Sequence, residues 1–142
     1  MPFLTPLTVQ EVPRAEWRLV VALEYAGARD AFTVPVGFDT DFASVPRMFW
    51  STFPPYGRHT KAAVLHDYLY ACQPLVGPRT DGAVEPDVRQ LRRITRKEAD
   101  GLFRRVMKEL GVSMWRRNIM YRAVRFGGGR VWRRAARKLA AK

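Results

Sequence analysis

Hydrophobic and polar positions divide the chain into a strand-rich first part and a helical second part. Residues 16–25 are rich in strand-forming side chains, and residues 31–36 place Phe32, Val34 and Val36 at every second position. A glycine between these segments, at Gly27, favours a turn. Residues 3–12 mix apolar and polar side chains, as an edge strand or an extended arm does. The first part is therefore predicted to form a small antiparallel hairpin or a three-stranded meander.

The second part carries helical periodicity and the residues that begin and end helices. Thr60 can cap a helix over residues 61–72. Thr95 and Glu98 have the spacing of a capping box, so a second helix should begin at residue 96. Its apolar residues keep helical spacing until Gly111, where the helix should end.

Two more helices follow, separated by three consecutive glycines. Ser113 can cap a helix over residues 114–126, and a last helix is predicted over residues 130–141. Residues 127–129 are all glycine and predict a flexible break. We therefore predict an α+β fold: a small N-terminal antiparallel sheet, then a helical body with two central antiparallel helices and a basic C-terminal helix. The predicted organisation is one domain over residues 1–126 and a glycine-hinged amphipathic helix over residues 127–142.

Composition limits the class of protein. A chain of 142 residues with 47% hydrophobic residues suits one domain with a modest core. Cys72 is the only cysteine, so no intrachain disulfide can form, which fits a reducing cytoplasm or an assembled particle. We expect no cleaved signal peptide, because the first ten residues lack a basic start and a long apolar run. No segment approaches the ~20 apolar residues that a membrane-spanning helix needs.

Positive charge is concentrated at the C-terminal end. The formal net charge is +12, and residues 113–142 hold ten Lys and Arg and no Asp or Glu. Such a surface can face an anionic membrane, an acidic protein or, without sequence preference, nucleic acid. In the last helix an apolar stripe that includes Trp132 lies opposite a basic stripe. The candidate membrane- or partner-binding residues are Trp132, Arg130, Arg133, Arg134 and Arg137. The apolar stripe can equally pack on the domain and leave the arginines solvated.

The candidate chemistry lies in the first predicted helix. His66 and Tyr70 are one turn apart on one face, with Asp67 at its edge. Ionisable groups in an apolar helix are costly to bury unless they are paired, and Asp100 on the second helix is the nominated partner. A histidine held by a distant carboxylate, beside an aspartate that can bind a cation, is a hydrolytic arrangement. A buried His–Asp pair that only stabilises helix packing is the alternative.

The pattern A-A-x-x-H-D-x-x-Y, followed by A-D-x-x-F on the next helix, resembles phospholipase A2, particularly its disulfide-free viral form. The resemblance implies that His66 is the base that activates water and that Asp100 holds its imidazole. It implies that Tyr70 hydrogen-bonds to Asp100 and that Asp67 ligates calcium. That family's glycine-rich calcium loop has no counterpart here, and Asp39 and Asp41 are the candidate replacement oxygen ligands. Catalysis requires His66 Nδ1 and Asp100 to meet at the floor of an open cleft.

A second resemblance spans roughly residues 37–126. The run G-F-x-T-D-F-A-S-V-P, then A-A-V-L-H-D-Y-L-Y and A-D-x-x-F, is similar to an uncharacterised family of small proteins from tailed bacteriophages and prophages. It implies a phage origin, phage structural proteins as partners, and a location in the virion or the host cytoplasm. Two hypotheses follow. One is a phage-encoded metal-assisted hydrolase that acts on phospholipid or the cell envelope. The other is a non-enzymatic virion or tail component whose His–Asp cluster is structural. A third hypothesis, a nucleic-acid-associated packaging or accessory protein, rests on charge alone.

Overall fold

The computed structural model describes residues 3–13, 16–27, 30–40, 57–77 and 88–142. Within these ranges the chain forms an α+β fold, with small antiparallel sheets followed by helices, as predicted. The strands are β1 (Val9–Val12), β2 (Glu16–Leu19), β3 (Leu23–Ala26), β4 (Ala31–Val34), β5 (Asp39–Thr40), β6 (Leu75–Val76) and β7 (Arg92–Arg93). The helices are α1 (Thr60–Cys72), α2 (Arg96–Glu109), α3 (Met114–Gly127) and α4 (Gly129–Ala140), with a short 3₁₀ turn at Val88–Gln90.

The strand predicted over residues 16–25 is divided into two strands that belong to different sheets. β2 lies between β1 and β5, whereas β3 pairs with β4. Leu19 and Leu23 are fully buried, but Val20 and Val21 between them are 41% and 39% exposed. A straight strand would place Val21 on the same face as both leucines. The chain instead bends here, and each leucine enters the core from its own sheet.

The helices begin and end largely where capping chemistry predicts. Thr95 and Glu98 form both hydrogen bonds of the capping box at the start of α2. Gly111 follows the end of α2 at φ +81°, a conformation that favours glycine. Thr60 is the first residue of α1 rather than its cap, and its hydroxyl accepts a hydrogen bond from the Gly57 amide at 2.7 Å. Ser113 occupies the cap position of α3 without a side-chain capping bond.

α1 packs against α2 on one side and α4 on another, and it is the most buried helix. Tyr70 of α1 contacts Asp100 of α2. His66, which lies one turn before Tyr70 in α1, contacts Phe103, which lies about one turn after Asp100 in α2. Contacts that progress in opposite chain directions show that α1 and α2 are antiparallel. The core where these helices meet the sheets contains the buried residues Leu19, Leu23, Val34, Leu65, Leu69, Phe103, Val106 and Met107. None of the helices in the described ranges is long and apolar enough to cross a bilayer.

The break between α3 and α4 is a single residue, not the three-residue glycine hinge that the sequence suggests. α3 includes Gly127 and α4 begins at Gly129, with only Gly128 between them. A Cβ atom on Gly128 would lie 2.5 Å from the Tyr70 hydroxyl and 2.5 Å from the Val124 carbonyl oxygen. Glycine is therefore required at this position for close packing against α1.

Candidate active site

His66 and Asp100 meet across the α1–α2 interface. The imidazole Nε2 and the carboxylate Oδ1 are 2.8 Å apart. The nitrogen facing the carboxylate is thus Nε2, and the prediction of Nδ1 is wrong. The His66 side chain is 4% exposed and the Asp100 side chain is completely buried. The pair is nearly enclosed, and the expected open cleft is not found at these two groups.

Asp100 is held by three side chains. The Tyr70 hydroxyl donates to Oδ1 at 2.6 Å, the same oxygen that faces His66, and the Arg125 guanidinium donates to Oδ2 at 2.8 Å. Burial alone would raise the pKa of Asp100, but the hydrogen bonds from His66, Tyr70 and Arg125 outweigh it and lower the pKa. Burial and the bond to Asp100 raise the pKa of Tyr70. Asp100 is therefore a carboxylate and Tyr70 a neutral phenol at neutral pH.

Arg125 and Arg96 are the site residues that sequence reasoning missed. Arg96 Nη1 lies 3.8 Å from Asp100 Oδ2, and it donates to the carbonyl oxygens of Val124 and Arg125 at 3.3 and 3.0 Å. The pairing of Arg96 with Asp100 has i,i+4 spacing, so the sequence contained a signal for it. Arg125 comes from α3, and no local spacing indicates which buried group it meets. Together the two arginines supply positive charge that balances a fully buried carboxylate.

Aromatic rings enclose the imidazole. The His66 ring centroid lies 4.3 Å from that of Tyr70 and 4.7 Å from that of Phe103. Trp132 of α4 packs edge-on against Tyr70, with centroids 5.1 Å apart, and its carbonyl oxygen accepts a hydrogen bond from Gln73. Since Tyr70 is fixed by Trp132 on one side and Asp100 on the other, α4 is part of the support of the site.

Of the three predicted metal ligands, the structure describes two, and these two have different hydrogen-bond partners. Asp67 is partly exposed beside His66, and its Oδ2 accepts a hydrogen bond from Thr40 at 2.5 Å. Asp39 is bound instead by Arg18, whose Nε and Nη2 donate to its two carboxylate oxygens at 2.8 and 3.1 Å. Asp41 lies outside the described residues, as does most of the G-F-x-T-D-F-A-S-V-P motif. Among the residues that are described, no group of three or more His, Cys, Asp or Glu could hold a metal ion.

The candidate binding residues of α4 divide into two groups. Arg130, Arg133, Arg134 and Arg137 are all exposed. Trp132 is only partly exposed and packs on Tyr70, so it faces the domain rather than a membrane or a partner. This is the docked arrangement that the sequence left open as an alternative. The exposed arginines leave α4 with a strongly basic outer face.

The chemical type of this arrangement is an imidazole oriented by a buried carboxylate. With Nε2–H donating to Asp100, Nδ1 carries the imidazole lone pair and is the atom at which a base of this type takes up a proton. Asp100 then stabilises the imidazolium that forms, and its lowered pKa keeps it ionised while it does so. The same hydrogen bonds would also stabilise the packing of α1 on α2 without any reaction.

Comparison with known proteins identifies the family. No curated protein and no solved structure matches the chain significantly. One family profile, described as a protein of unknown function (DUF1353), matches residues 17–124 and so includes β2 through nearly all of α3. The match spans His66, Tyr70 and Asp100. The chain therefore belongs to the DUF1353 family.

Proposed function

We propose that the protein is a hydrolase in which His66 is the general base and Asp100 its orienting carboxylate. The observation that carries the proposal is the 2.8 Å contact between His66 Nε2 and a buried Asp100 that Tyr70 and Arg125 also bind. These are the partners that the resemblance to phospholipase A2 implies for His66, Asp100 and Tyr70. A carboxylate fixed by three donors cannot rotate freely, so the imidazole is held in one orientation and one tautomer.

The reaction supported by this arrangement is ester hydrolysis by water. His66 Nδ1 takes a proton from water as the water oxygen attacks the ester carbonyl carbon. When the tetrahedral intermediate collapses, the carbon–oxygen bond to the alcohol breaks, and the imidazolium returns its proton to the departing alkoxide. The products are a carboxylic acid and an alcohol, and Asp100 remains ionised throughout. General base catalysis of this kind contributes roughly 10²–10⁴-fold to the rate.

Calcium as a cofactor stays a prediction. Asp67 is the described residue best placed to bind it, because its partly exposed carboxylate neighbours His66 in the chain. Asp39 would first have to give up both of its bonds to Arg18. The prediction is tested by assaying hydrolysis with calcium and with a chelator, and by calorimetric titration of calcium into wild type and Asp67→Asn.

Phospholipid is the proposed ester, because the exposed arginines of α4 can bind the anionic surface on which such a substrate is found. α4 packs on α1 next to the site through Trp132 and Tyr70, so a membrane-bound α4 would hold His66 close to lipid. Replacing Arg133 and Arg134 by Gln should then reduce binding to phosphatidylglycerol vesicles without unfolding the protein. Vesicle flotation measures this directly.

The test of the hydrolase is release of fatty acid from phosphatidylglycerol vesicles by wild type, His66→Gln and His59→Gln. His59 is the only other histidine and lies just before α1, so it provides a matched control. We expect His66→Gln to lose at least a hundredfold in initial rate while His59→Gln keeps activity. Circular dichroism shows whether each variant is folded. Equal rates for wild type and folded His66→Gln would refute His66 as the base.

The second candidate is a non-enzymatic virion or tail component of a tailed phage. The near-complete burial of His66 and Asp100 favours it, because a buried hydrogen-bonded pair whose carboxylate is also bound by Arg125 can serve packing alone. In this case the basic face of α4 contacts neighbouring phage structural proteins. The expected results are no hydrolysis by wild type, a large loss of stability in His66→Gln, and co-sedimentation with assembled particles that ends when the α4 arginines are replaced.

Binding to nucleic acid is predicted from charge alone, and salt-sensitive gel retardation tests it.

A further inference from the structure

A basic cleft lies between α2 and α3, apart from the His66–Asp100 pair. Its volume is about 430 Å³, within the usual range for small-molecule pockets. Arg104, Arg105 and Lys108 line it from α2, and Arg117 and Tyr121 line it from α3. None of the described residues that line the cleft is acidic. We define these five residues as the α2–α3 cleft.

Among the described residues, three of the four cations in the α2–α3 cleft have no acidic partner. Arg105 is paired with Asp30, whose Oδ1 it contacts at 2.6 Å. Arg104 lies over the Tyr121 ring, 5.0 Å from its centroid, and Arg117 donates to the Val112 carbonyl oxygen at 3.0 Å. Neither these two nor Lys108 forms an ion pair within the part of the chain that the structure describes. Positive charge in the cleft is therefore largely uncompensated.

This arrangement works against helix stability. Arg104 and Lys108 are one turn apart on the same face of α2, and like charges at i,i+4 spacing are destabilising. If this face of α2 only had to be solvated, an acidic residue in place of Arg104 or Lys108 would make the helix more stable. The repulsion is relieved when an anion with more than one negative charge enters the cleft.

The arginines indicate which anion fits. Guanidinium groups bind phosphate oxygens through paired hydrogen bonds, and Lys108 adds a point charge at the side of the cleft. A carboxylate carries one negative charge, whereas a phosphate compound can match several cations at once. We infer that the α2–α3 cleft binds a phosphate-bearing ligand, with Arg104, Lys108 and Arg117 as the principal contacts. This inference does not depend on the proposed hydrolase.

The test is calorimetric titration of inorganic pyrophosphate at about 150 mM salt, where exposed charges beyond ~8 Å are screened. Wild type is compared with Arg104→Gln/Lys108→Gln and with Arg93→Gln/Lys97→Gln. The second pair also removes one arginine and one lysine, but from exposed positions near the other end of α2. We expect one pyrophosphate per chain for wild type, at least tenfold weaker binding for the cleft variant, and less than twofold change for the control. Lys108→Gln alone, at an exposed residue, should weaken binding severalfold even if the double variant is unstable.

Vesicle flotation distinguishes the two sources of phosphate. If the ligand is a lipid headgroup, the cleft variant should lose binding to vesicles that contain phosphatidic acid, whose phosphomonoester can carry two negative charges, and pyrophosphate should displace wild type from them. If the ligand is a free phosphate compound, the cleft variant should lose pyrophosphate binding and keep vesicle binding. Absence of both kinds of binding in wild type, or an equal loss in the cleft and control variants, would overturn the inference.

Discussion

Replacing Tyr70 by Phe removes one hydroxyl group from the buried polar cluster around Asp100. That hydroxyl donates to Asp100 Oδ1 at 2.6 Å, and both residues are at least 95% buried. The ring and its packing against His66 and Trp132 are preserved by the substitution. The variant therefore isolates one hydrogen bond to a buried carboxylate.

The expected cost follows from the charge and burial of the acceptor. A hydrogen bond to a charged group contributes about 1.5–3 kcal/mol to stability, and a buried acceptor cannot replace it with bulk water. His66 still faces the same oxygen and Arg125 still binds the other, so Asp100 is not left unpaired. We therefore expect Tyr70→Phe to lose about 2 kcal/mol in free energy of unfolding. The pKa of Asp100 should rise, because one of the groups that lower it is gone.

Urea unfolding followed by circular dichroism measures this cost, with Tyr68→Phe as the matched control. Tyr68 lies on the same helix and packs edge-on against Phe38. No hydrogen bond of its hydroxyl is found in the described part of the chain, so the control should change stability by less than about 0.5 kcal/mol. If Tyr70→Phe costs no more than Tyr68→Phe, the hydroxyl does not hold Asp100 and the account of the site is wrong.

Two further predictions concern the surroundings of Asp100. Gly128→Ala should destabilise the protein by about 1–3 kcal/mol, because a Cβ there would lie 2.5 Å from the Tyr70 hydroxyl. Gly127→Ala should not destabilise it, because a Cβ at Gly127 would have no neighbour within 4 Å. Thermal unfolding of both variants checks this prediction. The pKa of Asp100 is lower in the folded than in the unfolded protein. Ionisation of Asp100 therefore stabilises the fold above about pH 4. This stabilisation is lost as pH falls through the pKa that Asp100 has in the folded protein. In urea unfolding from pH 6 to pH 3, the stability advantage of wild type over Asp100→Asn should therefore shrink, and a constant difference would contradict the assignment.

The positions of the helices and the His66–Asp100 contact were predictable because they depend on local sequence signals. The capping box at Thr95 and Glu98 fixed the start of α2, which placed Asp100 in its first turns. The start and spacing of α1 placed His66 and Tyr70 on one face. Once both helices are positioned, an apolar interface leaves these polar groups few partners other than one another. This is why the His66–Asp100 contact could be inferred from one sequence.

The rest depends on contacts between distant parts of the chain. Nothing near Arg125 indicates that it reaches Asp100, which is 25 residues away. Asp39 was predicted as a metal ligand, and its pairing with Arg18 could not be predicted because it arises only when β2 and β5 form one sheet. Trp132 looked like a membrane anchor because its packing on Tyr70 requires Gly128 to bring α4 onto α1. Tertiary pairing, rather than propensity, decided these three outcomes.

The most direct test of the central claim is a double-mutant cycle on the rate of ester hydrolysis. Wild type, His66→Gln, Asp100→Asn and the double variant are compared on phosphatidylglycerol vesicles, after circular dichroism has shown that each is folded. If His66 and Asp100 act as one catalytic unit, His66→Gln should cost at least a hundredfold, and adding Asp100→Asn should cost little more. Losses that multiply, or a wild type without activity, would contradict the claim and leave the pair a structural feature of the α1–α2 interface.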